Sequence, residues 1–196
     1  MPLPNIVIGC DIGLSGGICF FDTESKSVLS IYNMPTNKVT TSSGREKGIL
    51  DLERLKFILE IPKVHKESAL VVLENVHAFP GQGVVAIATL LEQKGAIRGL
   101  AKGLGYDEHL VEPKTWQKYF DIVPPQDLKG TSAKQTKAIR KKWLKSVSLE
   151  TARDLFPEWK DTKLERSDAH GLSDALLIGK WFLETNHRQR RERKVS

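Results

Sequence analysis

The chain has 196 residues, 40% hydrophobic and 28% charged, and a formal net charge of +6. That is enough apolar material for one globular core, and the basic excess points modestly to a polyanionic partner. No apolar run reaches the ~18 residues of a membrane helix, and Cys10 and Cys19 lack metal-ligand spacing and read as reduced core thiols. The first apolar run starts close to Met1 and leaves no room for a leader, so the expectation is an intracellular protein, in a cytoplasm or, if a leader was removed, in an organelle.

In chain order, Ile6 to Asp11 is an apolar run that ends on a carboxylate and meets a turn containing Gly13, Gly16 and Gly17. It reads as a buried strand with Asp11 at its end, where a charge is costly unless a cation or hydrogen bonds compensate it. Asp11 is equally a turn cap when taken alone. Ile18–Asp22 and Val28–Met34 read as further strands, joined by short turns into an antiparallel meander. The polar stretch from Pro35 to Arg45 reads as a loop. Leu52, Leu55, Ile58 and Leu59 recur at helical spacing between Asp51 and Glu60, and Pro62 ends that helix.

Ala69 to Val76 is a second apolar run, closing on Glu74, with the look of a buried parallel strand. After a loop at Pro80–Gly83, residues Val84 to Leu104 form a helical pattern rich in small residues, expected to lie close on the sheet. His109–Glu112 reads as a short strand and Lys114–Phe120 as a helix. Lys134 to Lys145 is the densest basic segment before the tail, read either as a phosphate-facing surface or a solvated face. Ser148 is the expected N-cap of a separate helix from Leu149 to Phe156. Asp168 to Leu183 reads as a strongly apolar final helix, followed by a basic tail expected to fray.

Asp11, Glu74, His170 and Asp174 are the residues that stand out chemically. His170 and Asp174 are four apart and share a helix face. Singly, each has a structural explanation. Together they suggest acids gathered at strand ends, where ligands of open α/β sheets bind. Clustered carboxylates repel, and a hard divalent cation such as Mg²⁺ removes the conflict.

At this point the residues resemble a known family. Ile8-Gly9-Cys10-Asp11-Ile12-Gly13-Leu14-Ser15-Gly16-Gly17 looks like the first motif, G-x-D-P-G-x-x-G, of RuvC-like Holliday junction resolvases, with Ile12 in place of proline. Leu73-Glu74-Asn75-Val76 resembles the second motif, Val111–Trp116 the next strand and turn, and His170–Ile178 the last motif. Pro80–Gly83 and the following helix are similar to the phage and chloroplast branches. The resemblance covers Ile6 to about Lys180.

The resemblance implies an α/β, RNase H-like fold, a mixed five-stranded sheet with helices on both faces. It implies one nuclease domain over residues 1–185 and a basic tail over 186–196. It also implies a homodimer that resolves four-way junction DNA by paired nicks. Two Mg²⁺ ions per site, replaceable by Mn²⁺, fall to Asp11, Glu74 and Asp174, with His170 or the weaker candidate Asp168 in the fourth position. His77 stands where bacterial members carry an aromatic wedge, with Phe79 nearby. Lys134, Lys137, Arg140 and Lys141 are the expected phosphate contacts. No membrane and no nucleotide cofactor are expected. The rival readings are a non-catalytic junction-binding module and, less favoured, an actin-like or sugar-kinase-type ATP-binding protein. The second shares an opening Asp-x-Gly turn, but this chain carries no second such phosphate turn.

Overall fold

The computed structural model describes residues 3–77, 83–166 and 169–195, with side chains to Asn186. Phe79, Asp168 and the Pro80–Gln82 part of the loop therefore lie outside the described residues. Strands β1 (Ile6–Asp11), β2 (Gly17–Asp22) and β3 (Val28–Asn33) form the meander. A hairpin of β4 (Thr36–Thr40) and β5 (Glu46–Leu50) follows, then α1 (Leu52–Leu59) and the single turn α2 (Ile61–Val64). Next come β6 (Ala69–Glu74), α3 (Val84–Gly103), β7 (Asp107–Val111) and α4 (Pro113–Tyr119). The chain continues through α5 (Ala133–Leu155), the short α6 (Pro157–Lys160) and α7 (His170–Val195), which carries on as helix into the basic tail.

The main sheet has five strands in the order β3-β2-β1-β6-β7. β1 pairs antiparallel with β2, β2 with β3, and β6 runs parallel to both β1 and β7. Helices cover both faces. This is the RNase H-like arrangement.

Period-two alternation sorts the strand side chains. Ile6, Ile8, Cys10, Ile18, Phe20, Val71 and Leu73 bury against α1 and α3, through Leu55, Ile58, Leu59, Ile97 and Ala101. Val7, Cys19, Phe21 and Val72 bury on the other face, against Trp116, Leu149, Ala152 and the apolar run Ala175–Ile178 of α7. The same alternation assigns Asp11, two steps past Gly9, and Glu74, two steps past Val72, to the α7 face. Both thiols are free and buried, as expected. Cys19 Sγ donates to Ala175 O at 2.9 Å, across the β2–α7 contact.

Helix α7 lies unusually close to the sheet, and glycines allow it. A Cβ on Gly9 would sit 2.3 Å from Ala175 O, and one on Gly179 would sit 2.3 Å from the Phe21 ring. At the start of α7, Gly171 bridges to Gly16 in the Asp11 turn.

Four sequence expectations change. The Pro35–Arg45 loop belongs instead to the β4–β5 hairpin, closed by Thr41 and Arg45. Eight of its ten strand residues are exposed, so no apolar alternation announces it. Ser148 caps nothing: α5 is one 23-residue helix, capped by Ser132, whose side chain accepts from Gln135 N. Pro62 and Pro157 do not simply stop helices but sit in the first turn of α2 and α6, where a missing N–H costs little. Of the small residues of α3, Ala101 faces the sheet but the glycines do not. Gly95 and Gly99 have open space where a Cβ would project, and the helix docks through Gln93, Ile97 and Ala101.

Replacing Gly171 with Ala drives a Cβ to within 2.0 Å of Ser15 O and 2.5 Å of Gly16 Cα. The expected cost is roughly 1–3 kcal/mol of overpacking, read as a fall of several degrees in Tm. Gly95→Ala, into open space, leaves Tm unchanged or raises it.

Candidate active site

Asp11 ends β1 and Glu74 ends β6, and the parallel register pairs Cys10 with Leu73 just before them. The two acids therefore leave neighbouring strands side by side, roughly 5 Å apart along the backbone. Asp174 comes from the second turn of α7, whose start is held against the Asp11 turn by the Gly16–Gly171 bridge. Three elements distant in sequence thus bring three carboxylates to one end of the sheet.

Their electrostatics report the crowding. Burial pushes Asp174 up to about 7, and the neighbouring Glu74 charge pushes the same way. Asp11 is held well above the usual carboxylate range, first by burial and then by repulsion from Asp174 and Glu74. Burial also raises Glu74, against the hydrogen bond that Trp116 Nε1 donates to its Oε1 at 3.2 Å. Ser148 donates to Asp174 and partly offsets its shift, while Asp174 Oδ1 is shut off from solvent with no hydrogen-bond partner among the described residues.

Lys145 lowers the pKa of both Asp11 and Asp174 and is the cation that bears on them. The sequence reading covered Lys145 within the basic segment but named only Lys134, Lys137, Arg140 and Lys141. In fact Lys134, Lys137, Lys141 and Lys145 advance by three, four and four residues along α5, and Ser148 follows three later. They form one stripe on the helix that ends at the serine touching Asp174. Arg140 differs: its guanidinium donates to the carbonyls of Leu128 and Gln126 and ties down the preceding loop. Continuity of α5 through Ser148 was the missing signal, and the mistaken cap hid it.

His170 is the first residue of α7, one turn before Asp174 on the same face. His77 lies beyond β6 and is engaged by Glu112, with Nε2 to Oε1 at 3.0 Å. Asn75 donates to the same oxygen at 2.6 Å, and these two bonds hold Glu112 below the usual carboxylate range. His77 is thus part of a surface polar network. Gly16 and Gly17 leave no room for side chains in the Asp11 turn. They admit backbone, since a Cβ on either would strike Asp11 O or Gly171 O.

The donor set is carboxylate oxygen, which suits a hard divalent cation. Among the described residues no three His, Cys, Asp or Glu side chains are drawn together into a closed ligand set. Asp11 and Asp174 are near enough to neighbouring acids to be repelled by them. No described helix is long and apolar enough to cross a membrane.

No family model matches the chain, and no curated protein matches it. Among solved structures the chain is similar to RuvC of Thermus thermophilus, at 16% identity over 89% of this chain and 91% of that one, with a TM-score of 0.44. It is similar to the same protein in complex with a Holliday junction substrate, at 14% identity over 89% and 90% of the two chains, TM-score 0.44. It is also similar to the yeast mitochondrial Holliday junction resolvase Ydc2, at 13% identity over 97% and 86%, TM-score 0.47.

The acid shifts predict a pH dependence. A carboxyl whose folded pKa lies above its unfolded value binds its proton more tightly in the folded chain. The stability this contributes is present at low pH and lost as pH rises from about 3.8 to about 7, the unfolded and folded values for Asp174. Chelator-treated protein should therefore lose Tm between pH 5 and pH 8. Asp174→Asn should flatten that slope, and Mg²⁺ added at pH 8 should restore part of the loss in the unaltered chain.

Proposed function

We propose that the chain is a divalent-metal-dependent endonuclease that resolves four-way DNA junctions by paired nicks in opposed strands. The observation that carries this reading is the buried convergence of Asp11, Glu74 and Asp174 at the end of a lysine stripe. Carboxylates that raise one another's pKa are poorly placed to face phosphates alone, because like charges repel. With a cation between them the conflict is removed. The unpartnered Asp174 Oδ1 fits such a ligand role.

Asp11, Glu74 and Asp174 would hold two Mg²⁺ ions, or Mn²⁺ in their place, with His170 or Asp168 in the fourth position. When bound, such a pair supplies charge stabilisation for the attacking and leaving oxygens of a phosphodiester. The chain's own groups set the stage. Trp116 fixes one oxygen of Glu74, and Ser148 fixes Asp174. His170, one turn from Asp174, orients the attacking water and accepts its proton. Lys134, Lys137, Lys141 and Lys145 neutralise backbone phosphates along roughly 17 Å of helix, and they lead the strand toward the acids.

Paired nicks need two sites related by symmetry. The outward face of α3 is the surface we assign to pairing. Val84, Val85 and Leu91 are exposed there, at 80%, 73% and 44%, and Gly95 and Gly99 leave room for close approach of a second helix. The wild-type chain should behave as a dimer in light scattering, and Gly99→Arg should yield a monomer with unchanged Tm.

The central test uses a labelled four-way junction. The wild-type chain should nick it in Mg²⁺ and in Mn²⁺, at symmetric positions. Asp174→Asn should bind the junction with affinity like the wild type but cut it roughly 100-fold more slowly or less. An intact junction in both metals removes the nuclease reading, and binding without nicking leaves a junction-binding module. Equal loss of binding and cleavage in Asp174→Asn assigns that residue a structural role.

A further inference from the structure

Asn33 ends β3 level with Gly17, and Gly17 is level with Asp11. Two strand spacings, roughly 10 Å, therefore separate the Asn33 backbone from that of the acid. Met34 N donates to Gly16 O at 2.9 Å and locks this corner to the Asp11 turn. The chain then swings at Pro35 into β4. Between that corner and α1 lies a pocket of about 290 Å³. Tyr32 and Ile58 contribute apolar lining, and Asn33, Thr36, Arg54 and Lys163 supply polar and cationic groups. Among the described residues, none of those four side chains makes a hydrogen bond or ion pair within the fold.

A second hollow, of about 320 Å³, shares Asn33, Met34 and Thr36 and runs on past Ser15 and Gly16 in the Asp11 turn. The two hollows thus adjoin through Asn33, Met34 and Thr36, and the second reaches the turn that follows Asp11. The chemistry of the first hollow is particular. The Tyr32 ring in its lining is the kind of group against which the flat face of a base packs. An amide and a hydroxyl match a base edge, which offers donors and acceptors together. Two cations suit the flanking phosphates. The pocket falls just below the ~300 Å³ at which sites for drug-sized molecules begin, so it admits one ring system and not a duplex.

We infer that this pocket takes a single unstacked base of the DNA strand passing the acids, and that it gives the protein a sequence preference. At a rise of about 3.4 Å per nucleotide, the base lies within roughly three nucleotides of the reacting phosphate. The inference rests on the nuclease reading for the phrase "reacting phosphate", but base capture itself needs no cleavage.

The test is built on that separation. Four-way junctions with a randomised core are bound by the full chain in the presence of a chelator, and the bound fraction is sequenced. In parallel, nicks made in Mg²⁺ or Mn²⁺ are mapped to the nucleotide. The wild-type chain should enrich one base at one core position, roughly 5-fold or more. Asn33→Ala, a solvent-exposed change, should erase that enrichment while leaving overall affinity within about 2-fold. Arg54→Ala and Lys163→Ala should weaken binding to all sequences alike, each lowering the salt slope by about one. No enrichment by the wild type, or an enrichment that survives Asn33→Ala, overturns the pocket. An Asn33-dependent enrichment without any nicking upholds the pocket and removes the nuclease reading. Symmetric nicking whose base preference ignores Asn33 does the reverse.

Discussion

The backbone-to-backbone seat of α7 on β1 is the constraint on which the rest depends. A helix covering a sheet normally rests on side chains, and the separation varies with whichever residues intervene. Here Gly9 and Gly179 remove those spacers, and Gly171 meets Gly16 at the helix start. The Cys19 thiol adds a donor to a carbonyl of the helix at the same contact. With backbone against backbone at Gly9 and Gly171, and the Phe21 ring against Gly179, the helix can neither sink nor slide without a clash. Its position relative to Asp11 is fixed to within the softness of backbone atoms, and Asp174 inherits that accuracy. An acid on a looser helix would wander by the tolerance of a packed core.

That rigidity has an electrostatic cost. Three carboxylates are held at one sheet end, and burial raises the proton affinity of each, with repulsion from the neighbouring acids adding to it at Asp11 and Asp174. Functional sites commonly store destabilisation that packing elsewhere must offset. Here the offset is visible: an apolar run from Ala175 to Ile178 is buried immediately after Asp174. Lys145, Ser148 and Trp116 temper the charge without cancelling it.

What was legible in the sequence follows from what each residue must do locally. β1, β2 and β6 are buried on both faces, so their apolar runs stand out, and a carboxylate ending such a run is costly enough to be noticed. Asp11 and Glu74 were visible for that reason. The β4–β5 hairpin is mostly exposed, with only its end at Leu50 packed on the core, and carries no comparable signature. Ser148 shows the converse: a polar residue inside a helix looks like a start signal unless its buried partner is known, and that partner lies on another helix. Lys145 differs from its neighbouring lysines only by position along α5, which matters only once α5 is laid on α7. The glycines of α3 show how far composition alone reaches. Small residues permit close approach, but only the docking of Gln93, Ile97 and Ala101 tells which side the approach is from.

The acids also have an order of arrival. Asp11 and Glu74 belong to strands made well before α7, which carries Asp174 and the Gly171 and Gly179 half of the seat that locates it. During translation the first two acids stand at the end of an incomplete sheet with one face of the core uncovered. Whatever chemistry the three perform together is silent until α7 has left the ribosome and docked. A chain cut short before that helix would expose the apolar inner faces of β1 and β2, a form suited to removal by quality control. For a protein whose proposed substrate is DNA, competence then waits for the docking of α7.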